Sequence, residues 1–387
     1  MAARYAPVWV IGIVFFAGCS QSYKPASFGP PGTHQFDACK VVMESLENDD
    51  LPALEGVDSW HGKYGPGLKL TTAHYEIFTT LLEPLMLRQI PGFMESAYRA
   101  YNQLLPAPVE TTTKLRIFLF ADRRQWDDFT KTFAGPRAKV FSKIKAGAYY
   151  LNDTCVTYYI GTSRTLSALG HEGWHQFNSR HFEFRLPSWL DEGIAILFEA
   201  SQYQDGRFYF EPTQNKHRLE ALKTTLLSDQ HIPLNELVAM NPGEVLATDQ
   251  AQAVQAFYSQ AYALVRFLRE AGSGKHQDKF RRLLFDGLRG DWPLSPASKK
   301  IAADRNIPRT VDWNRVVGPQ LFRQYISDNI SRTETEYLAF CNQIAGNAPL
   351  TAQYTVSSLP TTGQSTISRA EALLRRAYGS ASSLRSE

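Results

Sequence analysis

The sequence predicts an α+β protein: a small mixed sheet packed on one long helix that carries His171, Glu172 and His175, followed by a mainly helical second half. Three observations predict it. Strand-like runs concentrate before residue 162, among them LRIFLFA at 115–121 and AGAYYLNDTCVTYYIG at 146–161. Helical periodicity dominates afterwards, as in AVQAFYSQAYALVRFLREAG and KFRRLLFDGLRG. Between the two lies LGHEGWHQFNSRHFEFRLPSWLDEG, residues 169–193, which gathers His and carboxylate side chains around one predicted helix. Early strands and late helices describe segregated layers rather than alternating βαβ units.

A chain of 387 residues has ample material for a buried core. Hydrophobic content of 43% and charged content of 20% exclude a disordered chain and a multi-span membrane protein. Lys and Arg number 41 against 38 Asp and Glu, and no long basic run is present, so nothing electrostatic argues for a nucleic-acid partner.

From the N-terminus, Arg4 precedes the apolar stretch Ala6 to Gly18, too short to cross a bilayer core and suited to a secretory leader over 1–18. Its end, Phe16-Ala17-Gly18-Cys19, resembles the lipobox of bacterial lipoproteins. That resemblance implies export and a lipid on Cys19 that anchors the chain to a membrane; Ser20 is similar to the outer-membrane sorting choice. Residues 19–35 then read as a tether, 36–346 as the folded domain, with its β-rich part reaching about 161, and the Ser/Thr-rich 347–387 as a poorly ordered tail. Export permits disulfides. With Cys19 assigned to lipid, a bridge between Cys39 and Cys341 is the expected pairing, and Cys155 is expected to be a buried small hydrophobe.

Within the domain, LKLTTAHYEIFTT (68–80) reads as one strand, followed by a helical run to about Leu105. Asp122 is placed to cap a helix after the 115–121 strand, and Asn152-Asp153 to turn a hairpin. Ser188 is the expected N-cap of WLDEGIAILFEA, and the remainder to about Gly346 reads as mostly helical.

His171 and His175 stand one helical turn apart, about 6 Å in rise and about 40° in rotation, so both imidazoles can meet one ion. Zinc accepts such nitrogens at about 2.0–2.1 Å. Glu172 points roughly 100° away from His171, a direction suited to taking a proton from a water rather than to binding the same ion. A di-iron carboxylate site needs a second Glu-x-x-His unit, and no other His has Glu three residues before it. A mononuclear iron triad has no need of Glu172. Gly173, inside the motif, costs about 1 kcal/mol relative to Ala in a helix, and close packing on the upstream strand is the expected compensation.

Two residues compete as third ligand. HEGWHQFNSRH resembles the metzincin pattern, with Asn178 where that family has Gly; the resemblance implies His181 as ligand and Met240, in VAMNP, beneath the metal. Trp189-Leu190-Asp191-Glu192-Gly193 instead resembles the gluzincins, whose third ligand is a Glu on a second helix. The resemblance is extended by Phe257-Tyr258-Ser259-Gln260-Ala261-Tyr262, which is similar to an aminopeptidase N-like segment in which a Tyr hydroxyl stabilises the oxyanion, with Gln260 and Ala261 replacing Lys and Gly. It covers about 145–290, and implies one Zn2+ on His171, His175 and Glu192, Glu172 as general base, Tyr258 as oxyanion donor with Tyr262 as fallback, and a peptide or protein substrate paired to an edge strand. No exopeptidase motif lies upstream. Glu192 is the ligand adopted here and His181 the alternative. Glu199, seven residues on, is expected at a solvated helix end, with a hydrogen bond to a ligand His as the other reading. The resulting expectation is a zinc metallopeptidase of the bacterial cell envelope. The rival expectation is a non-catalytic lipoprotein of the same scaffold that binds protein partners.

Overall fold

Six strands form a mixed sheet: Gly56–Gly62 (β1), Gly65–Thr71 (β2), Tyr75–Thr79 (β3), Leu115–Phe120 (β4), Ala148–Leu151 (β5) and Thr154–Tyr158 (β6), ordered β1-β2-β3-β4-β6-β5. β3, β4 and β6 run parallel, and the flanking pairs are antiparallel. This computed structural model describes residues 33–144, 147–228, 230–242, 244, 251–304 and 311–346, all within one compact unit. The predicted leader 1–18, Cys19, nearly all of the tether and the 347–387 tail lie outside the described residues. No described helix is long and apolar enough to cross a membrane.

Period-two alternation sorts the side chains. Leu68, Leu70, Ile77, Ile117, Leu119 and Cys155 face the main core, whereas Phe120, Val156 and Tyr158 face a smaller outer cluster. That outer cluster is closed by Phe141 on the short Ala138–Phe141 (α4) and by Trp126 on Arg123–Phe133 (α3), whose indole N–H donates to the Val156 carbonyl at 3.3 Å. The inner face is covered by Pro84–Leu104 (α2) and Thr162–His181 (α5).

Several local expectations hold. Asp122 accepts from the Gln125 amide at 3.0 Å and caps α3. Asn152 and Asp153 take φ of 48° and 58°, the geometry of a type I′ hairpin joining β5 to β6. Gly161, at φ 93°, turns the chain from β6 into α5.

Others do not. The 68–80 run is two antiparallel strands, because buried Glu95 of α2 accepts from Thr72 Oγ1, from the His74 amide and from His74 Nδ1 and so holds a turn between them. Ser188 is the first residue of its helix rather than the cap; Pro187 is the cap residue, and Asn314 accepts from the Ser188 amide at 2.8 Å. Thr33–Asn48 (α1) begins inside the predicted tether. Cys39, Cys155 and Cys341 are all buried free thiols, so the expected bridge is absent. The second half is mainly helical as expected, with a hairpin, Ser201–Gln204 (β7) and Arg207–Phe210 (β8), within it.

Among the described residues, the rest of that half carries Ser188–Ile196 (α6), Lys216–Leu227 (α7), the short Leu234–Leu237 (α8), Ala251–Glu270 (α9) and further helices to Ile344. α9 packs against both α6 and α7. At the first of these crossings a Cβ on Gly193 would lie 2.5 Å from the Ala261 carbonyl oxygen, so glycine there permits close approach.

Candidate metal centre

α5 is buried through its HEGWH segment on every side. Ala168 meets Ala148 of β5, and these two small residues let the helix lie close to the edge strand. One turn later comes Glu172. Gly173 also allows contact, though with α2 rather than the strand: a Cβ there would stand 2.5 Å from the Tyr101 hydroxyl. That hydroxyl donates to the Gly170 carbonyl at 2.7 Å, so the propensity penalty is offset by helix–helix packing.

The structure brings His171, His175 and Glu192 together, with one ligand atom from each lying within 4.8 Å of the others. Glu192 Oε2 is 3.4 Å from His171 Nε2 and 3.7 Å from His175 Nε2. Ligands about 2.1 Å from a tetrahedral ion stand about 3.4 Å apart, so these separations suit zinc. The other ring nitrogens are already committed. His171 Nδ1 lies 3.0 Å from Glu199 Oε1, and His175 Nδ1 lies 3.0 Å from Asp191 Oδ1. Such partners fix each ring with its proton on Nδ1 and leave Nε2 as the lone-pair donor.

Asp191 Oδ1 also accepts from Trp174 Nε1 at 3.1 Å and Asn178 Nδ2 at 2.6 Å. Neither Asp191 nor these donors was singled out from sequence for this purpose, although Asp191 adjoins the predicted ligand. Glu199 is no solvated helix end: its side chain is 4% exposed. Arg218 grips it with Nε at 2.8 Å and Nη2 at 2.7 Å, and Asn215 Nδ2 adds a bond at 3.0 Å. Arg218 and Asn215 carried no sequence signal.

α9 crosses α6 at Ala261 and Gly193, and this crossing brings Tyr258 within electrostatic reach of Glu192. Gln260 turns elsewhere, bracketing the Ile232 amide and carbonyl at 2.7 and 2.9 Å. Tyr262, the fallback, donates to the Pro212 carbonyl at 2.6 Å and accepts from Arg266.

His181 does not join the cluster. α5 continues unbroken through Asn178, so His181 is carried about 240° around the helix from His175. Its Nε2 lies 2.8 Å from Thr111 Oγ1, and burial, with help from Arg180 and His74, lowers its pKa to about 4. Met240 packs half-buried against the main core after α8.

Six polar atoms decide what the arrangement can do. His171 Nε2, His175 Nε2, Glu192 Oε2, both Glu172 oxygens and the Tyr258 hydroxyl are buried without a hydrogen-bond partner. Each such orphan costs about 1–3 kcal/mol, so a concentration of them in one place fits a bound cation and its water better than a core. The electrostatics agree. Burial opposes charge on His171, but Glu192 and Glu199 push its pKa up to about 10. Burial likewise holds the Glu172 carboxyl well above the usual carboxylate range, against the pull of His171 and with Glu192 adding to the rise. The Tyr150 amide of β5 lies near enough to pull back toward the anion, without completing a hydrogen bond. Burial and then Glu192 raise the Tyr258 phenol, which stays a proton donor.

Comparison with family models, with curated proteins and with solved structures finds no match.

Proposed function

We propose that this chain is a zinc metallopeptidase of the gluzincin type, a hydrolase of peptide or protein substrates, with His171, His175 and Glu192 holding one Zn2+. The carrying observation is the set of six orphaned atoms on five residues, which together comprise ligands, a base and an oxyanion donor. Zinc held there would supply Lewis acidity, lowering the pKa of a water and polarising a carbonyl. Glu172 is placed to take a proton from the attacking water and to return it to the leaving amine; a carboxyl whose pKa burial has raised is suited to both duties. Tyr258 donates its hydroxyl to the carbonyl oxygen as charge develops there. Asp191 and Glu199 keep both imidazoles aimed. β5, the edge strand beside Glu172, offers unpaired backbone groups to an extended peptide. The leader and Cys19 would place the enzyme at the bacterial cell envelope, anchored by lipid to the outer membrane, with no nucleic-acid partner.

Glu172→Gln tests the reading: zinc content stays at one per chain and hydrolysis of a peptide library falls by at least about 1,000-fold. Cleavage at the wild-type rate would remove Glu172 from the role of base. One observation favours the rival, a lipoprotein scaffold that binds partners without turnover: none of His171, Glu172, His175, Glu192 or Tyr258 is more than 3% exposed. Zinc without cleavage of any library peptide would select it.

A further inference from the structure

Resting on that reading, we propose that Arg218 is the positioning residue of the metal centre, setting the plane of the Glu199 carboxylate and through it the orientation of His171. Both carboxylate oxygens are assigned. Oε1 lies between Arg218 Nη2 at 2.7 Å and His171 Nδ1 at 3.0 Å, and Oε2 between Arg218 Nε at 2.8 Å and Asn215 Nδ2 at 3.0 Å. A two-point fork fixes direction as well as position, which a single lysine ammonium cannot do. The guanidinium is itself located. Its side chain is 6% exposed, and Cζ lies 5.5 Å from the Tyr258 ring, so the same group borders the proposed oxyanion donor.

The backbone that presents it is tied down from α9. Arg266 donates to the Tyr262 hydroxyl, which donates to the Pro212 carbonyl at the start of the turn. The Asn215 amide donates to that carbonyl too, and Asn215 Oδ1 caps α7 by accepting from the Arg218 amide at 3.2 Å. A continuous chain of bonds thus runs from Arg266 through Tyr262, Pro212 and Asn215 to Arg218, Glu199 and His171. It also accounts for Tyr262, whose hydroxyl the proposed reaction does not use.

The test is zinc affinity, measured by chelator competition on the full chain. The variants are Arg218→Met, Arg218→Lys, Glu199→Gln and the double variant Arg218→Met/Glu199→Gln. Wild type binds one zinc. Arg218→Met and Glu199→Gln each weaken binding about 10–100-fold, the usual reach of groups that orient a ligand. Arg218→Lys keeps the charge and the fold but recovers less than half of that loss on a logarithmic scale. The double variant is within about twofold of the weaker single, because the two residues act in series. Cobalt(II) substituted for zinc gives a visible d–d spectrum that differs from wild type in Arg218→Met, a signature a purely structural role would not move. Should Arg218→Met fail to fold, the double variant, which also removes the uncompensated buried carboxylate, and Arg218→Lys carry the measurement. Zinc affinity within twofold of wild type in folded Arg218→Lys and double variants overturns the inference and leaves the metallopeptidase reading standing. So do losses that simply multiply in the double variant. Absence of zinc binding in wild type overturns both.

Discussion

The two imidazoles of the centre are held by different kinds of structure. His175 is oriented by Asp191, the neighbour in sequence of the proposed ligand Glu192, and the other donors to that carboxylate, Trp174 and Asn178, sit on the same helix as His175. His171 is oriented by Glu199, whose charge is met by a guanidinium from a separate helix, 19 residues further on. The first side spans 13–17 residues between two successive helices, α5 and α6, and includes the neutral donors Trp174 and Asn178. The second reaches 28 residues from His171 to Glu199 and is completed by an ion pair. The first needs only two consecutive helices to pack, whereas the second exists only once α7 has docked on α9.

This contrast has consequences for stability. Glu199→Ala strands the Arg218 guanidinium in the interior and is expected to cost about 3–5 kcal/mol in urea unfolding. Asp191→Ala strands the Trp174 and Asn178 donors, at about 1–3 kcal/mol. Equal losses would show that the two sides do not differ in the way their partners suggest. An effect below about 1 kcal/mol for Glu199→Ala would mean that Arg218 reaches water easily.

Protonation sharpens the comparison next. In the metal-free protein, His171 titrates near 10 when folded and near 6.5 when unfolded. Its contribution is fully present below about 6.5 and is lost as pH rises through about 10. Glu172, raised by burial, acts in the same direction: above its unfolded value the native state binds the extra proton. Urea unfolding in chelator should therefore show stability falling between pH 6.5 and 9.5, by about 1–4 kcal/mol. Saturating zinc, which requires deprotonated ligands, should reverse the slope. A flat profile in chelator would place His171 outside the charged cluster.

The smallest expected effect separates the two candidate third ligands. His181→Ala should retain one zinc per chain with affinity changed less than about twofold, losing the contact to Thr111, the ring contact with Phe177 and about 1 kcal/mol of stability. Glu192→Ala should abolish stoichiometric binding. Retention of zinc by Glu192→Ala together with its loss from His181→Ala would reinstate the metzincin arrangement.

Much of the fold was legible because its signals are local. Asp122 capped its helix, Asn152-Asp153 turned its hairpin, and HEGWH lay on a helix, each from a few adjacent residues. The hairpin at 201–210 was legible too: Asp205-Gly206, at φ 50° and 75°, is flanked by QYQ and RFYF, a turn signal overlooked in a region read as helical. The break in 68–80 was not, since it is imposed by Glu95 from a helix more than twenty residues away.

By itself the sequence determined the spacing that puts two imidazoles on one helical face, the glutamate that follows on the next helix, and the α+β order of strands before helices. Tertiary structure alone decided which of Glu192 and His181 faces those imidazoles, that Glu199 is buried, and that Arg218 holds it. The physical reason is range. Helix period and capping act over three or four residues, whereas the direction of a buried side chain is set by whichever surface packs against it, here α9 across Gly193 and α7 beside Glu199.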